Sequence, residues 1–313
     1  MWRKGTLEAF RQGIELTRKA SAIDPKSSVV WAELANAHAW SGFLGFQDIE
    51  TAVALARDAA RRALSIDPDN ALAEGALGAV AQRADFDLAA AARHYERALT
   101  LEPANPDILG EASELVRHLG RFDDAIALSE SAVSRDPVRS SGHYWLGWAY
   151  FEAGRLDEAI ASLRTALSLS PELFQVHMVI GLALLVKEEP EAALEAMKQE
   201  SVEVFRLEGL AYVHHALGNA AESDAALDEL IAKYERRSPS GIARLLAYRG
   251  EFDRAFEWFE KAVRYQDGDI VNPDWEVMGS PISDDPRWLP FLESIGMAPH
   301  QLDAIEFNVT LPE

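Results

Sequence analysis

Apolar positions recur along this chain with helical periodicity, and the helical runs are cut by proline at a nearly fixed interval. Pro25, Pro68, Pro103, Pro137 and Pro171 are separated by 43, 35, 34 and 34 residues. Each closes a similar phrase, such as Arg62-Ala63-Leu64-Ser65-Ile66-Asp67-Pro68 and Arg97-Ala98-Leu99-Thr100-Leu101-Glu102-Pro103. Proline cannot extend a helix, and it pushes the preceding residue out of the α region, so each phrase marks a helix end. A second break recurs inside the units: Gly120-Arg121-Phe122-Asp123, Gly154-Arg155-Leu156-Asp157 and Gly250-Glu251-Phe252-Asp253. The glycine suits a left-handed turn and the aspartate is expected to cap the next helix. The pattern predicts a chain of helix hairpins.

One unit carries the pattern in full: His143-Tyr144-Trp145-Leu146-Gly147-Trp148-Ala149-Tyr150, then Gly154, Ala159, Leu163, Ala166 and Pro171. With Trp31, Leu34 and Ala35, with Leu77-Gly78, Tyr95 and Ala98, and with Ile180-Gly181, it resembles the tetratricopeptide repeat (TPR) family. The resemblance implies an all-α, right-handed α-solenoid of antiparallel hairpins, about seven of them, closed by a C-terminal helical cap. Small residues at these positions let paired helices approach closely. The 43-residue unit holds nine extra residues, expected as an extended loop over Ser41 to Asp48 around Gly42, Phe43, Gly45 and Phe46. Lys187-Glu188-Glu189-Pro190 replaces the glycine turn in a later unit, whose border is expected near Gln199 to Glu203.

The two ends differ. Thr6 to Ala22 supplies a single amphipathic helix without a partner, which implies an upstream region or a cover from Trp2 and Phe10. At the other end Asn272-Pro273-Asp274-Trp275 breaks the repeat, and Asp285-Pro286-Arg287-Trp288-Leu289-Pro290-Phe291-Leu292 reads as a cap. The expected division is a solenoid over 1–270 and a capping segment with tail over 271–313. The closing phrase, together with Trp2, Lys4 and Thr6 at the start, resembles TPR regions behind bacterial class III adenylate or guanylate cyclase domains and winged-helix transcription regulators. That resemblance implies a regulatory part of a larger signalling protein, with any catalytic domain upstream.

Composition narrows the function classes. The formal net charge of −21 disfavours phosphate backbones and anionic lipid, so neither nucleic acid nor membrane is expected as a partner. Cysteine is absent, which excludes disulfides and thiolate metal sites and fits a reducing cytoplasm. The longest apolar run, Val179 to Val186, is far too short to span a bilayer.

In such solenoids the first helices of successive hairpins line a concave face. Helical phase places Tyr144, Trp148 and Phe151 there, then Met178, Leu182 and Leu185, with Tyr212 and His215 further along. Arg83, Arg117, His118 and Arg244 are expected as charged rims. The stripe suits an apolar or amphipathic segment of another protein whose anionic groups meet arginine. Two alternatives remain: the stripe is core, or it is covered in a homodimer.

Other chemistries find no support. The lysine and asparagine carboxylate clamp of some TPR proteins is not matched: Asn36 sits where one asparagine is needed, but Ala32 stands in place of a lysine and Ala79 in place of the second asparagine. His143 and His177 stack one repeat apart without further ligands, so no metal or cofactor is expected. No nucleophile elbow, phosphate loop or dinucleotide fingerprint occurs, and no catalytic residues are assigned.

Overall fold

The computed structural model describes residues 7–272 and 278–309, with side chains from residue 11 onward. Trp2, Lys4 and Thr6, the Phe10 side chain and Pro273-Asp274-Trp275 lie outside the described residues. A first helix, α1 (Leu7–Ile23), is followed by seven hairpins among the described residues. They are α2 (Ser28–Phe43) with α3 (Ile49–Ile66), α4 (Ala71–Arg83) with α5 (Leu88–Leu101), and α6 (Pro106–His118) with α7 (Phe122–Arg135). Next come α8 (Ser140–Glu152) with α9 (Leu156–Leu169), and α10 (Val176–Val186) with α11 (Pro190–Met197). The last are α12 (Glu203–Ala216) with α13 (Ala220–Tyr234), and α14 (Pro239–Tyr248) with α15 (Phe252–Arg264). Two short 3₁₀ turns, Gly268–Val271 and Pro281–Asp284, lead to α16 (Trp288–Ser294) and α17 (Pro299–Asp303). The molecule is an all-α solenoid.

The proline phrases fall in the turns between hairpins, and the glycines inside the hairpins do what the pattern requires. Gly120 and Gly154 both adopt φ of 72°, where a Cβ is penalised. Glu188 takes the same left-handed conformation, φ 61°, in the unit that lacks the glycine. The border expected near Gln199 to Glu203 lies between the end of α11 at Met197 and the start of α12 at Glu203. Within a hairpin the small positions permit close packing: a Cβ on Gly147 of α8 would stand 2.5 Å from Leu163 Cγ of α9.

Two expectations are corrected. Asp123, Asp157 and Asp253 do not cap their helices; the N-cap residues are Arg121, Arg155 and Glu251, without side-chain capping bonds. The turn ends two residues earlier than a cap at the aspartate requires, since Arg121 N–H already closes onto Val116 O at 2.9 Å. The aspartates instead put negative charge in the first turn, where the helix dipole favours it. Side-chain caps occur elsewhere, as at Asp48, whose carboxylate accepts from Thr51 N at 2.9 Å. The insertion near Ser41 is likewise only partly a loop. It lengthens both helices of its hairpin, α2 to 16 and α3 to 18 residues, against 13 and 14 for α4 and α5.

The array curves back on itself. The α2–α3 turn reaches the segment between α13 and α14, where the Arg237 guanidinium lies 5.8 Å from the Phe46 ring centroid. Gly45 permits this approach, since a Cβ there would meet Arg237 Nε at 2.9 Å and Gly45 itself has φ +67°. At the C-terminal end Trp288 and Phe291 of α16 pack on Phe259 of α15, with ring centroids 5.5 and 5.2 Å away. Aromatic packing of this kind covers the exposed face of the last repeat. The tail then returns to the early hairpins: Arg121 donates to Ile305 O, and Asn308 N donates to Glu96.

Candidate functional site

Because the array closes, the inner faces of the first helices converge on one bore, and the chain enters that bore itself. After α15 the segment Asp267 to Asn272 crosses to α4 and α6, burying Ile270 and Val271. The expected domain border at 270/271 therefore falls inside the inserted 3₁₀ turn. Gly268 lies so close to α4 that a Cβ would stand 2.7 Å from Arg83 O.

Of the four residues expected as charged rims, Arg83, His118 and Arg244 contact this segment, and Arg117, His118 and Arg244 are buried. Arg83 pairs with Glu114 of α6 and, at 3.2 Å, with Asp269. Arg244 donates to Asp269 O at 2.8 Å. His118 Nε2 meets Asn272 Oδ1 at 2.7 Å while its Nδ1 meets Gln82 Nε2 at 2.8 Å. Burial, then the charges of Arg117 and Arg83, hold the His118 pKa well below the usual value. A neutral ring donating from Nε2–H to Asn272 and accepting from Gln82 satisfies both contacts. Arg117 pairs with the buried carboxylate of Glu152 on α8. The rim expectation is thus corrected: Arg83, Arg117, His118 and Arg244 belong to the interior, because closure turns an open concave face inward.

The apolar stripe is divided by the same geometry. Phe151 is wholly enclosed between helices, and Trp148, Met178, Leu182 and Tyr212 are buried. Tyr144 and Leu185 are half-buried, and His215 is exposed, its ring 5.7 Å from that of Tyr248. The buried members of the stripe are covered by the chain itself. The Tyr212 ring packs at a tilt on that of Tyr248, centroids 5.1 Å apart. Of the two histidines one repeat apart, His143 contacts Pro137 O at 3.0 Å and His177 is half-buried. Among the described residues no group of three or more His, Cys, Asp or Glu side chains stands in position to hold a metal.

One opening in the bore is a cavity of about 80 Å³. Its wall includes Trp40, Tyr144, Trp145, Trp148, Phe174 and Phe205, and Asp269 and Asn272 of the inserted segment also line it. The Arg117 guanidinium sits 5.4 Å from the Trp148 ring centroid and that of Arg83 5.3 Å from Trp40, cation–π placements that hold both rings. Phe174 bridges Tyr144 at 6.1 Å and Phe205 at 6.2 Å. The Tyr144 hydroxyl donates to Gln175 Oε1 at 2.8 Å, and burial pushes its pKa up to about 12. The groove expectation from sequence omitted Trp40, Trp145, Phe174, Phe205 and Arg237 as lining residues. Trp145 directly precedes the Leu146-Gly147 pair and Trp40 the insertion, which are signals of a kind. Phe174 and Arg237 lie in turns between hairpins, where helical phase says nothing.

The fold and the bore define the chain as a helical-repeat solenoid. Within it, residues 81–138, 117–174 and 146–202 match the model of the tetratricopeptide repeat family. Solved structures of similar fold include the APC/C hetero-tetramer Cut9-Hcn1, at 14% identity and TM-score 0.61, the match covering 85% of this chain and 52% of that one. Human IFIT1, solved as a dimer with PPP-AAAA, is similar at 17% identity and TM-score 0.56, over 82% of this chain and 69% of that one. The thermophilic TPR protein TTC0263 of Thermus thermophilus is similar at 22% identity and TM-score 0.50, over 60% of this chain and 99% of that one. At these identities the likeness is one of fold. None of the curated proteins compared matches the chain. No helix among the described residues is long and apolar enough to cross a membrane.

Proposed function

We propose that this solenoid is a non-catalytic protein-interaction scaffold whose inner face receives an acidic, aliphatic segment of another protein. The observation that carries this reading is the placement of Asp267 to Asn272, which occupies the inner face as a bound peptide would. Its carboxylate at Asp269 meets Arg83, its carbonyl meets Arg244, and its two aliphatic side chains are buried. A surface that supplies paired donors and an apolar floor to one such segment has the chemistry to hold another. Tyr144 and Trp148 line the cavity beside the segment; in this reading Met178, Leu182, Leu185 and Tyr212 continue the apolar side of the same inner helices, with Phe151 packed behind them. A partner exchanges with the chain's own segment, so affinity depends on how firmly that segment is seated.

The test is exchange in trans. A labelled peptide with the sequence of residues 266–272 is offered to wild type and to Gly268→Val, whose side chain cannot seat against Arg83. Binding by fluorescence anisotropy to the variant, and at least tenfold weaker binding to wild type, is the expected result. Failure of the peptide to bind a variant that keeps its circular dichroism overturns the reading. Asp269→Asn serves as the milder variant should Gly268→Val lose helicity.

A further inference from the structure

The cavity beside the inserted segment has a chemistry of its own. Its two arginines at the segment, Arg83 and Arg117, are neutralised by Glu114, Asp269 and Glu152. Arg237, on the opposite wall, is not. It lines the cavity and is half-buried, yet among the described residues it makes no ion pair and no side-chain hydrogen bond. Its neighbours are rings, Phe46 at 5.8 Å and Tyr234 at 5.9 Å. A guanidinium taken out of water without a carboxylate is costly, and burial holds its pKa below the ordinary value. An anion entering the cavity removes that cost.

The same wall argues against a cationic ligand. Aromatic faces attract cations, but the Trp40 and Trp148 faces already carry the guanidinium groups of Arg83 and Arg117. The rings that remain half-buried around the opening are Tyr144, Trp145, Phe174 and Phe205. They offer a flat apolar surface. Next to them Gln175 is held at φ 65°, in the left-handed region, while its side-chain oxygen takes the Tyr144 hydroxyl. A non-glycine residue kept in that conformation costs of order 1 kcal/mol, and such strain is concentrated at ligand sites.

We propose that the bore is a binding site for a small organic carboxylate, its apolar body against Tyr144, Trp145, Phe174 and Phe205 and its carboxylate on Arg237. This site is the open cavity rather than the seat of the inserted segment, although Tyr144, Asp269 and Asn272 border both. The cavity of about 80 Å³ is about half the roughly 150 Å³ that encloses benzene. It accommodates a carboxylate with a short chain, or the near half of a ring whose far edge projects through the open mouth. Arg237 also touches the α2–α3 turn, so an anion bound there ties the first hairpin to the last.

Isothermal titration of the full chain with butyrate, benzoate, benzamide and tetramethylammonium tests this. Saturable binding of at least one carboxylate is expected, with benzamide at least tenfold weaker than benzoate if benzoate binds, and no binding of tetramethylammonium. Arg237→Gln should weaken carboxylate binding at least tenfold, Arg237→Lys should restore part of it, and Arg236→Gln on the exposed neighbour should leave it unchanged. Absence of saturable binding to folded wild type overturns the proposal, as does equal affinity for benzoate and benzamide or an Arg237→Gln variant that binds as wild type. Phe205→Ala provides a second variant if Arg237→Gln does not fold, and unchanged affinity there overturns the apolar wall.

Discussion

Asp269 and Arg83 are 186 residues apart in the chain and 3.2 Å apart in space. The pair fastens the segment after the last hairpin to the second hairpin, and Arg83 shares itself with Glu114. Removing the arginine leaves Asp269 without this ion pair and the deeply buried Glu114 with only the 3.9 Å contact to Arg117. Arg83→Met should destabilise the fold by about 2–3 kcal/mol, below the full value for a buried pair because Asp269 is partly exposed. Hydrogen exchange should speed up first at residues 267–272. A variant whose exchange there is unchanged would show that other contacts seat the segment.

Asp267 makes the same region sensitive to pH. Burial, then the neighbouring Asp269, raise its pKa from 3.8 to about 6, and the bond accepted from Ser240 N at 2.9 Å offsets this only in part. The folded state therefore binds the proton more tightly than the unfolded state. This contribution to stability is greatest below pH 4, declines as pH rises through about 4 to 6, and stays lost above. Asp267→Asn removes the ionisation while keeping an acceptor for Ser240. The substitution should raise stability at pH 7.5 by about 2 kcal/mol and have little effect at pH 4. Denaturation midpoints for both proteins across that range provide the check, and a difference independent of pH would contradict the assignment.

The seam between first and last hairpins depends on Gly45. Its φ of +67° and the 2.9 Å that a Cβ would leave to Arg237 Nε both exclude a β-branched residue. Gly45→Val should cost about 2 kcal/mol and open the ring, which small-angle scattering would register as a larger radius of gyration. An unchanged scattering profile would mean that the inserted segment alone holds the array closed.

The hairpins were legible in the sequence because their determinants are local. A proline ends a helix and a glycine turns one wherever they stand, so Pro137 and Gly154 bound their elements without reference to the rest of the molecule. The aspartate after each glycine misled, since Asp123 sits within the first turn rather than at its cap and only the backbone count decides which. Closure was not legible: it accumulates from small rotations over seven hairpins, and its contacts, Gly45 with Arg237 and Asp269 with Arg83, join distant parts of the chain. Arg83, Arg117, His118 and Arg244 were marked as charge on the inner helices, but without closure they read as rims. Phe174 and Arg237 carry no periodic signal, because turns between hairpins have no repeating phase.

Gly110 on α6 carries the flat face against which Trp145 of α8 lies. A Cβ on Gly110 would fall 1.9 Å from Trp145 Cε3, a distance that no rotamer shift of a fraction of an ångström relieves. Gly110→Ala should therefore drive the indole out toward the bore. The expected cost is about 1–3 kcal/mol, with a red-shifted tryptophan emission. Gly120→Ala separates this steric effect from glycine's backbone role, because at φ 72° an added Cβ there meets nothing within 4 Å. That variant should lose about 1 kcal/mol from conformation alone and keep the emission of wild type. Combining Gly110→Ala with Trp145→Leu should recover most of the loss beyond that of Trp145→Leu itself, a coupling that urea denaturation of the four proteins measures directly. If the two substitutions prove additive, the ring and the glycine are not in the contact described, and the wall of the bore is built differently at α8.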